Sequence, residues 1–287
     1  MNRDTTSTII KRLKEKKKEE GNLPLLLGFY QKILEIHAET QKNIGAPVPV
    51  LSRMTINQRI RKGLPLVNFN ELALDWPLVP DVFAKAVAAF ARYPELFGEI
   101  PARLKKPGAG RMLTKKAARA WFTGQELPSS LLDGISENLM QTIIQVTLQP
   151  FLVKYAQALI GFVDQESWRR SYCPICGGSP DLAFLEKEHG ARWLLCSRCD
   201  TEWLFQRLEC PYCANKEQNT LAFFSDEEGL YRLYVCDKCR CYLKAIDLRK
   251  TEAEVLLPLE RFYTMDLDRQ AKEYGYNSCQ KFTAKKK

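Results

Sequence analysis

Cys173-Pro-Ile-Cys176-Gly-Gly-Ser-Pro180, Leu195-Cys196-Ser-Arg-Cys199, Cys210-Pro-Tyr-Cys213 and Val235-Cys236-Asp-Lys-Cys239 are the segments whose reading decides the fold. Ten cysteines scattered at random over 287 residues would yield about 0.3 C-x-x-C pairs, and this chain has four. Two intervening residues let both thiolates of a pair point at one ion from a tight knuckle. Between Cys176 and Cys196 lie 19 residues and between Cys213 and Cys236 lie 22, close to zinc-ribbon spacing.

The pairs form an internal repeat. Each unit runs from a Cys-Pro-x-Cys knuckle through Leu-Ala-Phe (Leu182 to Phe184, Leu221 to Phe223) and a glycine (Gly190, Gly229) to an apolar run and a second pair. A duplicated unit that carries four ligands most simply closes its own site. Cys173, Cys176, Cys196 and Cys199 are therefore expected to bind one ion, and Cys210, Cys213, Cys236 and Cys239 another; a cross-braced arrangement uses the repeat less economically. The apolar runs have strand composition, so each unit reads as a two-stranded ribbon pinned by its metal. Four thiolates suit Zn²⁺ or a single iron, and the Cys173 knuckle resembles rubredoxin as well as zinc ribbons. An iron–sulfur cluster and a thioredoxin-like dithiol fit the spacing and context less well. Cys241 and Cys279 are left over and read as ordinary reduced cysteines.

Outward from the ribbons, helical patterns fill residues before 167. Leu26, Phe29, Tyr30, Ile33 and Ile36 share one helix face, and Phe83, Ala86, Val87 and Phe90 mark a second helix that Pro94 should end. Thr114 and Gly124 bracket a short helix as N-cap and stop. Ser130 and Asp133 give a capping signal ahead of Leu132, Ile135, Leu139, Ile143 and Val146, and Pro150 should kink or break that helix. The expected architecture is α+β: a basic, flexible N-terminus (1–22), an α-helical domain (23–167), two tandem four-cysteine ribbons (168–208 and 209–248) and a C-terminal helical segment with a basic tail (249–287).

Of the formal charge of +9, residues 1–20 contribute +3 and 281–287 contribute +4, leaving +2 for everything between. Lys11 to Lys18 and Lys285 to Lys287 read as solvated ends. In the ribbon region basic residues are intermixed with a comparable number of acids, which argues against a nucleic-acid-binding ribbon protein, the main alternative. No signal peptide is visible, and the most apolar long segment, Leu139 to Val163, is interrupted by Gln141, Gln145, Gln149, Pro150, Lys154 and Gln157. A cytoplasmic, reducing location without membrane insertion follows as the expectation. No catalytic constellation emerges. His37 lies on an apolar helix edge and reads as a core residue; His189 precedes a ribbon turn where the second unit has Glu228; neither H-E-x-x-H nor G-x-S-x-G occurs.

These motifs resemble the formate dehydrogenase accessory family, FdhE. The likeness includes Trp168, the stretch Cys173 to Pro180, Leu195-Cys196-Ser-Arg-Cys199-Asp-Thr-Glu-Trp203, Arg207 before Cys210, and Cys236-x-x-Cys239 leading to Tyr242-Leu-Lys-Ala-Ile-Asp247. It continues in Asp266-Leu-Asp268 and Glu273-Tyr-Gly-Tyr276, and in the helical half in Gln149-Pro150-Phe151. The resemblance implies a cytoplasmic, non-catalytic maturation factor that binds the catalytic subunit of a molybdenum- or tungsten-containing formate dehydrogenase and carries rubredoxin-like Fe or Zn sites at the eight paired cysteines. A rubredoxin-like electron carrier stands as a further alternative. Cys241 and the basic ends fall outside the family pattern.

Overall fold

The computed structural model describes residues 4–45, 51–72 and 74–279. The chain divides into two units, residues 1–50 with 68–158, and residues 51–67 with 159–287. Composition alone places a single boundary at 167/168. The structure instead assigns residues 51–67, in sequence a part of the helical half, to the cysteine-bearing unit.

The first unit is helical. It contains α1 (Asp4–Glu20), α2 (Leu25–Asn43), and, after α3 (Arg53–Lys62) of the other unit, α4 (Val79–Ala91), α5 (Pro94–Phe97), α6 (Ala102–Lys105), α7 (Lys115–Thr123), α8 (Ser129–Leu132) and α9 (Glu137–Leu159). The flexible N-terminus expected over 1–22 is replaced by α1. Its lysines line the solvent side, while Ile9 and Leu13, one turn apart, are fully buried where α1 packs on α2. The Lys285 to Lys287 tail lies outside the described residues. Around α2 and α4, Phe29, Phe90 and Phe97 form an aromatic cluster with ring centroids 4.6–4.8 Å apart. Helix α7 has the expected ends: the Thr114 hydroxyl accepts from the Ala117 N–H, and Gly124 (φ 65°) closes it in the left-handed region.

Two expectations for the last helix are corrected. Ser130 and Asp133 do not cap it; they belong to the short turn α8 and its end, and α9 opens instead at Ser136, whose Oγ accepts from the Leu139 N–H (3.3 Å). Its buried face accordingly runs through Met140, Ile143, Ile144, Thr147, Phe151 and Leu152. Pro150 does not break it. A proline leaves the carbonyl four residues back without its helical donor, and here that carbonyl, Val146 O, accepts from His37 Nε2 of α2 at 2.8 Å in a buried contact. The histidine supplies the donor that the proline lacks. By length and composition the helical stretch Glu137–Phe162 is apolar enough to cross a membrane, and 61% of its 18-residue apolar window is buried in the chain's own fold.

The second unit is built on one sheet. Its strands are β1 (Pro180–Leu185), β2 (Arg192–Cys196), β3 (Glu202–Phe205), β4 (Leu221–Ser225), β5 (Tyr231–Cys236), β6 (Cys241–Asp247) and β7 (Asn277–Ser278). They are ordered β3-β2-β1-β6-β5-β4, with β7 on β6. Each repeat is a three-stranded meander rather than a two-stranded ribbon, and the two are not separate modules, because β1 pairs in parallel with β6 (Leu182 with Lys244, Phe184 with Ile246). The Leu-Ala-Phe matches of the repeat are one residue out of register in space. Leu182 lies opposite Leu195 beyond an irregularity after Pro180, whereas Leu221 lies opposite Cys236. With a side-chain period of two, that slip turns corresponding residues to opposite faces. Around the sheet lie α3, α10 (Gln165–Trp168), α11 (Leu257–Tyr263) and α12 (Met265–Glu273).

Candidate metal centres

Each C-x-x-C pair is followed by a residue in the left-handed region: Gly177 (φ 71°), Asp200 (54°), Ala214 (58°) and Arg240 (55°). The chain therefore reverses sharply after the second cysteine. Backbone bonds close the loops, from the Gly177 N–H to Cys173 O (3.0 Å), Asp200 to Cys196 (3.2 Å), Ala214 to Cys210 (2.9 Å) and Arg240 to Cys236 (2.8 Å). Only the first position is a glycine, and there a Cβ would come within 2.9 Å of Pro65.

The knuckles bring the cysteines together as two sets, Cys173 with Cys176, Cys196 and Cys199, and Cys210 with Cys213, Cys236 and Cys239, with all sulfurs of a set within 4.8 Å of one another. A tetrahedral ion with metal–sulfur bonds of about 2.3 Å places its sulfurs about 3.8 Å apart. In the first set the closest separations are 3.5–3.6 Å, and in the second 3.7 Å. The eight cysteines make no disulfide, so the residues fit two tetrathiolate ions of the Zn or Fe type. Such sulfurs are ordinarily held by N–H donors around them, and these are present: Ile175 and Arg198 N–H each point at a sulfur at 3.4 Å, and Asn215 Nδ2 reaches Cys236 Sγ at 3.6 Å.

The two sets differ in setting. All four cysteines of the first are buried, whereas in the second Cys213 is exposed and Cys239 half-buried. Burial pushes the Cys173 and Cys199 thiols well above the usual thiol range, while donation from Cys173 and its neighbours holds Cys176 below it. Cys210 is pushed up to about 11, mainly by burial. Binding an ion to such a cluster must expel protons. Beside the first set stands Arg198, 2% exposed; burial pulls its guanidinium below the usual value and the four sulfurs pull it back. A tetrathiolate with a divalent ion carries two net negative charges, and a buried arginine offsets part of that charge.

Residues remote in sequence hold the first centre. Arg261 of α11 donates to Asp181 (2.7 and 3.0 Å), to Asp200 (2.6 Å) and to the Cys196 carbonyl (2.8 Å), so one guanidinium ties the C-terminal helix to β1 and the second knuckle. Residues 51–67 brace the first knuckle: the Leu66 and Val67 N–H groups donate to Pro174 O (2.8 Å) and Ile175 O (2.9 Å), and the Tyr172 hydroxyl donates to Gly63 O (2.7 Å). Trp168 donates to Tyr172 O (2.9 Å) and Trp203 to Arg170 O (2.7 Å). Sequence reasoning does not single out Arg198, Asp200, Arg261 or the 63–67 segment. Arg198 and Asp200 stand inside or just after a knuckle and carry a local signal; Arg261 and residues 63–67 carry none.

Cys241 and Cys279, expected as reduced thiols, form a disulfide with Cα atoms 5.6 Å apart. The parallel pairing of β7 with β6, Cys241 with Asn277 and Tyr242 with Ser278, is what brings residue 279 to this spot. His189 is an exposed turn residue near Glu188 and takes no part in either centre.

A helical unit linked to a sheet unit in which duplicated knuckles gather two sets of four cysteines defines a class of proteins with paired tetrathiolate-type sites. Residues 172–207 match the family described as "FdhE, central domain". The chain is 30% identical over 274 residues to "Protein FdhE homolog" of Aquifex aeolicus (strain VF5), covering 92% of this chain and 88% of that protein, and so belongs to the FdhE family. A shorter match to "Protein FdhE homolog" of Shewanella oneidensis is 32% identical over 100 residues, 34% of this chain and 33% of the relative. The crystal structure of the FdhE protein from Pseudomonas aeruginosa is similar with a TM-score of 0.64 and 23% identity, over 99% of this chain and 97% of that one. At that identity the likeness speaks to the fold.

Proposed function

We propose that this chain is a cytoplasmic maturation factor for a molybdenum- or tungsten-containing formate dehydrogenase, that it binds the enzyme's catalytic subunit, and that it catalyses no reaction itself. The observation that carries this reading is the family relationship over 92% of the chain, joined to two cysteine quartets of tetrahedral dimensions. Each quartet holds one ion, iron or zinc, through Cys173, Cys176, Cys196 and Cys199 or Cys210, Cys213, Cys236 and Cys239. The ions act first as structure: a sheet unit stitched by knuckles keeps its surface only while the sulfurs are tied together. Iron in place of zinc would add a one-electron couple at the same ligands. Nucleic acid and membrane are not partners in this reading.

The test is deletion of the gene in its host. Formate dehydrogenase activity should fall while the catalytic polypeptide is still made, and a chain with Cys176→Ser and Cys213→Ser should fail to restore it. Unchanged activity in the deletion strain, with no second gene copy, contradicts the reading. Metal analysis of anaerobically purified protein should find two ions per chain, with a thiolate-to-metal charge-transfer colour wherever iron is bound.

A further inference from the structure

The two ends of the sheet are finished differently. At the β3 end the outward Leu204 N–H donates to Gln165 Oε1 of α10 (3.1 Å), so the edge is capped within the chain. At the other end stands β4, and among the described residues no strand pairs with its outer side. The Asp226 N–H donates to Tyr231 O (3.2 Å) and the Asp237 N–H to Thr220 O (2.9 Å), so the even-numbered residues of this strand face β5. In an antiparallel ladder the alternate residues face away. Phe223 and Ser225 therefore direct their N–H and C=O groups outward, as Leu221 does its C=O, while the Leu221 N–H donates to Gln218 O.

The repeat shows what such an edge does. In the first meander the equivalent residues, Ala183 and Leu185 of β1, face β6 and take it as a parallel neighbour. Among the described residues, the same edge of the second meander has no counterpart of β6. It also lacks the usual protections of an exposed edge, since Leu221–Ser225 contains no lysine, proline or inward charge. Instead it displays aromatic surface on both faces. Phe223 is 50% exposed and lies against Tyr234, and Phe224 is 44% exposed and lies against the exposed Tyr274. Beyond the C-terminal end of β4 come Asp226, Glu227 and Glu228, all exposed.

We propose that the free edge of β4 is a docking site for an extended segment of a partner polypeptide, which adds to the sheet parallel to β4 and carries basic residues at its C-terminal end. Main-chain bonds to Phe223, Ser225 and the Leu221 carbonyl supply the attachment, and Phe223 and Phe224 select apolar side chains on either face. The acidic turn at residues 226–228 selects the charge and, because the added strand runs parallel, the end that bears it. That the segment belongs to the client enzyme rests on the maturation reading; strand addition at β4 does not.

The test uses the full chain loaded with zinc and a fluorescein-labelled peptide of alternating valine and threonine ending in three lysines. Binding is followed by anisotropy and by amide hydrogen exchange. The peptide should bind and slow exchange at residues 221–225, and a peptide with its lysines moved to the N-terminus should bind about tenfold more weakly. Phe223→Lys should weaken binding by at least about tenfold, as edge lysines block strand addition, with metal content and circular dichroism unchanged. Glu227→Lys with Glu228→Lys should remove the preference for C-terminal lysines. Absent protection at 221–225, or equal binding by Phe223→Lys, overturns the proposal. So does protection of the edge without peptide that rises with protein concentration, which assigns it to a second copy, or that vanishes on removal of residues 280–287, which assigns it to the chain's own tail. In the host, full formate dehydrogenase activity from the Phe223→Lys chain overturns the assignment of this edge to the client enzyme. The maturation reading then still stands or falls separately, on the Cys176→Ser and Cys213→Ser chain.

Discussion

The knuckles place ordinary residues in a backbone region that suits glycine. Ala214 (φ 58°) is exposed and its side chain has no packing role to lose. The left-handed conformation is disfavoured by roughly 1–2 kcal/mol for a residue with a Cβ. Ala214→Gly should therefore stabilise the sheet unit by up to about 1 kcal/mol, once the larger entropy of an unfolded glycine is subtracted. Thermal melting of the metal-loaded protein checks this, with an upward shift of about 2–4 °C expected. Arg240 is the opposite case, because its guanidinium lies over Tyr276 (4.1 Å) and bonds Asp237 (2.9 Å). A second residue-scale effect concerns acid. Hydrogen bonding from Arg249, foremost, with Arg232 beside it, holds the fully buried Asp247 carboxyl below the usual carboxylate range. A carboxyl lowered in the folded state contributes stability above its unfolded value, and that contribution is lost as pH falls through the folded one. Denaturant midpoints measured below about pH 4 should fall more steeply for the parent chain than for Asp247→Asn, which has already lost the charge.

At the scale of elements, α9 shows how one helix is completed by another. Because His37 Nε2 donates to the Val146 carbonyl that Pro150 leaves open, the two residues are energetically one unit. His37→Phe should cost about 1–3 kcal/mol by leaving that carbonyl buried and unpaired. Pro150→Ala restores the helical donor, so in the Pro150→Ala background the same histidine change should cost clearly less. A double-mutant cycle by urea unfolding reads the coupling, and strict additivity would refute it. This arrangement is half legible: His37 reads as a core residue on an apolar edge, but a break at Pro150 follows only if no other element supplies a donor. The two short elements α8 and β7 are illegible for a related reason. Each is too short to show a period and exists because of what it packs against.

For the whole molecule, the decisive feature is the difference between the two cysteine quartets, each proposed to hold one ion. With Cys213 exposed and Cys239 half-buried in one set and all four cysteines buried in the other, removal of metal should proceed in two phases. A chelator should take the ion of the Cys210 set first, and that of the Cys173 set at least about tenfold more slowly, since release there must first open the contacts of Arg261 and of residues 63–67. Absorbance of a metal-indicator dye follows both steps, and a single phase for two ions would contradict the asymmetry. Hydrogen exchange should then show the sheet losing protection while the helical unit keeps its own.

What is local in this protein can be read from its residues in order: the four knuckles, their grouping into two quartets by repetition, the caps of α7 and the apolar faces of α2 and α4. Two residues between cysteines and one reversal after them are set by backbone geometry within a few positions, so spacing alone reveals them. Tertiary pairing settled the rest. It joined the two meanders through β1 and β6, slipped one Leu-Ala-Phe strand by a residue, drew residues 51–67 onto the first knuckle and brought Cys279 to Cys241. Those outcomes rest on pairing between segments tens of residues or more apart, where backbone donors and acceptors are alike in every strand. Shape and register at the point of contact choose among partners that composition leaves equivalent.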